Sequence, residues 1–302
     1  MDKTIRIGTR GSPLALVQAN MVKDRLAAAH GLASEIIVIK TTGDMVQDRA
    51  LAEIGGKALW TKELDRALLD REIDCAVHSM KDVETVRPEA IAIAAMLPRA
   101  DVRDRLIGAE SIAVLRQGAV IGTSSPRRAA QLKRLRPDVS TVLFRGNVDT
   151  RLAKLAAGAV DATLLAAAGL DRLGRCELGA PIATDVMLPA PAQGAVGIEA
   201  RADDAVMRAR LAAIDHDATH VCILLERALL AALDADCHSP VAALATLNDG
   251  GIAIRAELLT EDGREHVTGD ATGSAGDLTV AARLAADLLA RAGPSIRRLF
   301  GA

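Results

Sequence analysis

A chain of 302 residues is long for a single hydrophobic core, so two or three domains are expected. Its 50% apolar and 25% charged residues are ordinary for a globular protein, and a net charge of −2 fits poorly with wholesale neutralisation of nucleic-acid phosphates. No apolar run is long enough to span a bilayer, and four cysteines without CxxC spacing argue against a zinc site or a disulfide framework.

The opening MDKTIRIGTRGS lacks the apolar core of a secretion signal, which makes a reducing cytoplasm the expected compartment. IRIGT then reads as a strand, and Ser12 caps a helix that starts at Pro13. EIIVIKT is the next strand, followed by a helix near 60–70, a strand over IDCAVHS and another over EAIAIAAML. Such non-alternating apolar runs predict parallel strands covered on both faces. The pattern repeats from AVIGTSSPRR, with strands at STVLF and DATLLAA and a helix between them. Each half opens with the same grammar: strand end, threonine, serine cap, proline at the first helical turn, and an arginine close by. Strand carboxyl ends and helix amino ends are where open α/β sheets collect ligands.

LPAPAQGAVGIEAR reads as a segment crossing back toward the first half. A helix over 218–232 follows. IAIRAELL and EHVTGDA flank the turn Glu261-Asp262-Gly263, which predicts a small antiparallel sheet, and 277–292 reads as an amphipathic helix. The expected fold is thus α/β: two similar wound domains plus a small α+β carboxyl-terminal domain. The expected boundaries are 1–97 with 194–211, 98–193, and 212–302.

Between Ile121 and Leu155 stand eight basic residues against two aspartates, a surplus of six in a chain that is slightly acidic overall. With one tryptophan, two phenylalanines and no tyrosine, the chain lacks the stacking rings of single-strand binders, so small carboxylates or phosphates are favoured over nucleic acid. Arg127, Arg128, Arg145 and Arg151 cluster at helix starts, and arginine suits bidentate anion recognition. Lys133, Arg134 and Arg136 lie toward the helix end, where they suit the dipole and read as solvated surface. Lys81 and Asp82 fall just past the strand CAVHS, where a carboxylate serves as an acid/base, a countercharge or a plain helix cap. His78 reads as a hydrogen-bonded strand residue. Composition alone leaves Cys237, between Asp236 and His238, undecided between a buried apolar role and a reactive one.

The blocks IGTRGSPLALVQA, GGKALWTKELDRALL, DCAVHSMKD, GTSSPRRAAQL, RGNVDTRLAKL, AAAGLDRLG and LPAPAQGAVGIEAR, in this order, resemble the porphobilinogen deaminase (hydroxymethylbilane synthase) family. The resemblance implies two lobes like those of type II periplasmic binding proteins and a third small domain. It also implies a transferase of haem and tetrapyrrole biosynthesis that joins four porphobilinogen units with loss of ammonia and then releases a linear hydroxymethylbilane. The primer would be a dipyrromethane cofactor, one per chain, held by a thioether to Cys237. Asp82 would be the catalytic aspartate, assisting loss of the amine and stabilising the cationic azafulvene. Arg10, Ser12, Asp44, Lys57, Lys81, Thr123, Ser124, Ser125, Arg127, Arg128, Arg145, Gly146, Arg151, Arg172 and Gln193 would bind cofactor or substrate, with Gln193 on an interdomain strand facing the cleft. A cytoplasmic monomer without nucleic-acid, membrane or metal partners is the matching expectation. Three departures stand out: the acidic approach Asp234-Ala235-Asp236 to Cys237, Glu53 where the family often has lysine, and Trp60 where it usually has phenylalanine. A binding protein for polycarboxylates and a nucleic-acid module are the competing readings.

Overall fold

Serine caps begin the first helix of each α/β half. The computed structural model describes residues 4–41 and 61–300. In it, Ser12 Oγ accepts from the Ala15 amide ahead of α1 (Pro13–His30), and Ser125 Oγ accepts from the Arg128 amide ahead of α3 (Pro126–Leu135). In both, proline occupies the first turn, where no amide hydrogen is needed. Between these helices lies α2 (Lys62–Leu69).

The first sheet holds β1 (Ile5–Arg10), β2 (Ser34–Ile39), β3 (Cys75–Ser79), β4 (Ile91–Met96) and β10 (Val196–Arg201), in the order β2-β1-β3-β10-β4. The second holds β5 (Asp104–Ile107), β6 (Val120–Gly122), β7 (Ser140–Val142), β8 (Ala162–Ala166) and β9 (Ala180–Pro181), in the order β7-β6-β8-β5-β9. The two orders are the same pattern. Four of the five strands of each run in one direction, and the fourth in the order runs antiparallel to both its neighbours. The sheets are therefore mixed, not parallel throughout as the apolar runs predict. Burial on both faces produces such runs whatever the strand direction. LPAPAQGAVGIEAR, which reads as a crossing segment, contains β10, a central strand buried along its whole length.

Three antiparallel strands make the third sheet: β11 (Val241–Asn248), β12 (Gly251–Leu259) and β13 (His266–Gly273). The hairpin over Glu261-Asp262-Gly263 is present, and β11 is an additional strand. Helices α7 (Asp217–Ala232) and α8 (Thr279–Arg291) contribute Leu225, Leu229, Leu284 and Leu288 to a core shared with Ile254 and Leu258. The remaining described helices are α4 (Val148–Ala156), α5 (Ala167–Arg172), α6 (Ala205–Ala212) and α9 (Pro294–Arg297). The chain divides into two compact units, Met1–Ala100 with Gly194–His220 and Asp101–Gln193 with Val221–Ala302, so the second and third sheets share a unit. Among the described residues no helix is long and apolar enough to cross a membrane.

Candidate functional site

Parallel pairing fixes where the candidate residues gather. In the first sheet β1 and β3 run side by side, so their carboxyl ends share one edge. Arg10 ends β1 and Ser12 caps the helix after it. Lys81 and Asp82 lie in a single 3-10 turn, Met80–Asp82, directly beyond β3. Both turn residues are half-buried, and among the described residues no hydrogen-bond partner is assigned to the Asp82 carboxylate. A carboxylate placed at a strand terminus can serve as a proton-handling group.

In the second sheet the same logic gathers Thr123–Ser125 beyond β6 and the loop 143–147 beyond β7. Arg172 closes α5 beyond β8. The Ser124 hydroxyl donates to the Phe144 carbonyl at 2.7 Å, tying the two loops together. Asn147 caps α4 by accepting from the Thr150 amide at 2.9 Å. Gly146 has φ +121°, and a Cβ there would stand 2.7 Å from Thr150 Cγ2, so the turn requires glycine. The Gly146 carbonyl accepts from Arg151 Nε at 2.9 Å and the Arg145 carbonyl from Lys154 Nζ at 3.1 Å. Thr123, Ser124, Ser125, Arg145, Gly146 and Arg151 thus form one connected cluster.

Arg127 and Arg128 behave differently from expectation. Their guanidinium forks do not project from the helix start toward a ligand but fold inward onto Asp104, which is buried at the start of β5. Arg127 Nη2 donates to Asp104 Oδ2 at 2.8 Å, and Arg128 Nη2 to Oδ1 at 2.7 Å. Arg127 also donates to Gln131 Oε1 and the Leu188 carbonyl, and Arg128 to the Leu164 carbonyl. Burial alone would raise the Asp104 carboxyl, but Arg127 and Arg128 outweigh it and hold it well below the usual carboxylate range. Gln193 joins the same group. Its Nε2 donates to Asp104 Oδ1 at 2.9 Å and to the Val102 carbonyl at 2.7 Å, and the side chain is fully buried in the turn before β10. It is therefore neither on a strand nor exposed to solvent.

The cations expected at the surface are a second correction. Arg134 pairs with the buried Glu257 of β12 at 3.0 Å. Arg136 binds Asp138 at 2.7 Å and the carbonyls of Ile112 and Leu115, and Lys133 Nζ reaches the Glu261 carbonyl at 3.5 Å. All three are half-buried. Glu257 also accepts from Gln131 Nε2 at 2.7 Å, so a polar chain runs from Asp104 through Arg127 and Gln131 to β12.

Cys237 is exposed in the turn between α7 and β11. The acidic neighbour that departs from the family pattern shapes this turn. Asp236 Oδ1 accepts from the His238 amide at 2.8 Å, and the Asp236 amide donates to Ser239 Oγ. Cys75 and Cys222 are buried, and burial pushes the Cys75 thiol up to about 12, so it is no nucleophile. Cys176 is exposed as well. Asp44, Lys57, Glu53 and Trp60 lie outside the described residues.

Asp104, Gln131, Glu257, Glu199 and Arg87 carry no signal in the sequence. Each has a partner 20 or more positions away, which no local spacing reveals.

Two family models match the chain: "Porphobilinogen deaminase, dipyromethane cofactor binding domain" over residues 5–209 and "Porphobilinogen deaminase, C-terminal domain" over 220–291. The porphobilinogen deaminase of Sphingopyxis alaskensis is 59% identical, covering 99% of this chain and 97% of that protein. That of Paracoccus denitrificans is 53% identical, covering 90% and 89%. Among solved structures, the methionine binding protein MetQ aligns with a TM-score of 0.44 at 12% identity, over 72% of this chain and 92% of that one. The sequence matches run along nearly the whole molecule, and the chain belongs to the porphobilinogen deaminase family.

Proposed function

We propose how this chain's own residues carry the activity of its family, the polymerisation of porphobilinogen to hydroxymethylbilane on a dipyrromethane primer with release of ammonia. The observation that carries the reading is the complementary chemistry at the carboxyl edges of two sheets of the same topology. One edge presents Asp82 with Lys81 and Arg10, and the other a set of hydroxyls, backbone amides and arginines.

The donor set suits the cofactor. Each pyrrole of a dipyrromethane bears an acetate and a propionate, and Thr123, Ser124, Ser125, Arg145, Gly146, Arg151 and Arg172 offer the hydroxyls, amides and guanidiniums that bind such groups. Arg10, Ser12, Asp44, Lys57 and Lys81 complete the proposed set. Cys237 is the exposed thiol proposed to hold the group by a thioether. When bound, the dipyrromethane supplies the pyrrole carbon on which the chain is built. Arg127 and Arg128 bring two positive charges against the single charge of Asp104, leaving one to attract a carboxylate. They contact it by exchanging bonds that Asp104 and the carbonyls now hold. Gln193 orients Asp104 in this scheme.

Asp82 has the proton-handling role. Its carboxylate stabilises positive charge as ammonia leaves the porphobilinogen aminomethyl carbon, and it holds the pyrrole N–H while the new bond forms. Lys81 beside it binds a substrate carboxylate. We read the chain as three domains (1–97 with 194–211, 98–193, 212–302) and as a cytoplasmic monomer with neither nucleic-acid nor membrane partners. The pairing of Arg127, Arg128, Arg134 and Arg136 with carboxylates of the chain itself favours the reading without a nucleic-acid partner, since these four are not free to follow a phosphate backbone.

Intact mass tests the reading directly. The purified chain should carry the mass of one dipyrromethane, absent from Cys237→Ala, and Asp82→Ala should keep that mass and lose nearly all turnover. A bare mass after incubation with porphobilinogen sinks the thioether assignment, and near-normal bilane formation by Asp82→Ala removes Asp82 from the chemistry.

A further inference from the structure

A second buried charge cluster lies in the first unit, and the reaction as assigned above does not use it. Its centre is Glu199, a fully buried carboxylate on β10. Arg87 grips it with both arms of its fork, Nε to Oε1 at 2.8 Å and Nη2 to Oε2 at 2.9 Å. Arg87 Nη2 also donates to Asp65 Oδ1 of α2 at 2.5 Å, and Nη1 to Glu84 Oε2 at 2.6 Å. The Thr61 hydroxyl donates to that same Glu84 oxygen at 2.6 Å. His78 Nε2 sits 3.1 Å from Glu199 Oε2. Burial alone would raise Glu199, and His78 and Arg87 overrule it, bringing the carboxyl to about 2.

The positions of these partners along the chain give the cluster its meaning. His78 is four residues before Asp82 and Arg87 is five after it. The stretch from 83 to 90 has no helix or strand of its own, and its guanidinium anchor is the one buried cation within it. The turn between is held at its start by the Met80 amide donating to the Ala195 carbonyl at 3.1 Å and by the Ser79–Gln18 side-chain pair. A buried ion cluster of this kind adds little stability over an apolar core of equal volume, because desolvation offsets the attraction. What it specifies is geometry: a carboxylate cannot be left half-paired, so the two ends of the loop must close on it together.

We propose that Glu199 and Arg87 are positioning residues for the Lys81–Asp82 turn, clamping the loop that carries Asp82 at both ends against β10. The proposal rests on the reading of Asp82 as the catalytic carboxylate. Displacing a reacting group by about 1 Å can cost about a hundredfold in rate. Breaking the clamp should therefore lower kcat far more than it weakens binding, most of which Arg10 and the second sheet supply.

The test uses the full-length, cofactor-loaded enzyme. Arg87→Met should load dipyrromethane to the wild-type mass and keep KM for porphobilinogen within about twofold, while kcat falls on the order of ten- to a hundredfold. Arg87→Lys, which keeps the charge but not the fork, should fall in between. It carries the test by the same criterion if Arg87→Met does not fold. A core variant in the same unit, Leu26→Ala, should lower Tm without changing kcat at assay temperature. In an Asp82→Glu background, where the carboxylate is already displaced, Arg87→Met should remove less than about twofold more. A loaded Arg87→Met enzyme with kcat within twofold of wild type overturns the proposal, and so does an effect that multiplies in full onto Asp82→Glu. Turnover by Asp82→Ala would instead overturn the underlying reading of Asp82, so the two failures are told apart.

Discussion

Asp104 shows how much one side chain decides in this protein. It is a fully buried carboxylate that receives Arg127, Arg128 and Gln193, so its ionised form is built into the fold. Its pKa in the folded chain is depressed below the unfolded value of about 3.9. A depressed carboxylate contributes stability that is complete above the unfolded pKa and lost as pH falls through the folded one. Glu199, at about 2 against an unfolded value near ~4.3, acts in the same direction. The contribution of these two carboxylates to the free energy of unfolding should therefore be constant from about pH 7 to 5 and decline steadily from there toward pH 2. Asp104→Asn keeps the shape but leaves two buried guanidiniums facing a neutral amide, at a cost of about 3–5 kcal/mol at pH 7. Urea midpoints measured against pH check both points, since the gap between wild type and variant should narrow in acid. An Asp104→Asn protein of unchanged stability at neutral pH would show that the arginines find other partners. None of this is legible locally: VRDRLIG looks like any mixed loop, and the Ser-Pro-Arg-Arg motif announces a need for an anion without saying that the protein supplies one itself.

At the scale of elements, helix α3 is easy to read and its role is not. Serine cap, proline and arginine predict its start correctly. The stripe Arg127, Gln131 and Arg134, spaced four and three apart, reads in sequence as a binding end and a surface end. It is one continuous polar face, running from Asp104 to Glu257 on β12. Only the long-range packing of the hairpin reveals this, because the face has no apolar periodicity to mark it as covered. The hairpin turn makes the contact closer still. Gly263 has φ +70°, and a Cβ there would stand 2.3 Å from the Ala130 carbonyl oxygen and 2.7 Å from the Arg134 amide nitrogen. Gly263→Ala therefore combines left-handed strain with a clash against helix backbone, and should destabilise by roughly 1–3 kcal/mol. Gly250→Ala, at a turn position with open space around it, is the control and should be close to neutral. Thermal unfolding of the pair checks the prediction, and equal midpoints would show that the hairpin does not rest on the helix in solution.

At the scale of the whole molecule, the chain crosses between its two units three times, and each of the first two crossings leads directly into an antiparallel strand. After residue 100 it enters β5, and after residue 193 it enters β10. The duplication is legible from the repeated strand-cap-proline grammar. These two strands are not: DRLI sits in a stretch that looks like a mixed loop, and VGIEAR reads as part of a crossing segment. The second crossing is held from within its own unit by Glu226 of α7. One carboxylate oxygen accepts from the Ala192 amide at 2.5 Å, and the other from the Ala245 amide of β11 at 2.7 Å. The side chain is fully buried, so both bonds form away from competing water and each is charge-assisted. Ala192 itself has φ +62°, an unfavourable conformation for alanine that the bond to Glu226 helps to hold. Glu226→Gln keeps the volume but can accept through one oxygen only, and it turns an N–H donor toward the second amide. It should cost about 1–3 kcal/mol. Amide hydrogen exchange locates the effect: protection should fall at Ala192 and Ala245 together, ahead of the rest of β11. If the loss is confined to one of the two amides, or spread evenly over the unit, then Glu226 does not join the crossing segment to the third sheet.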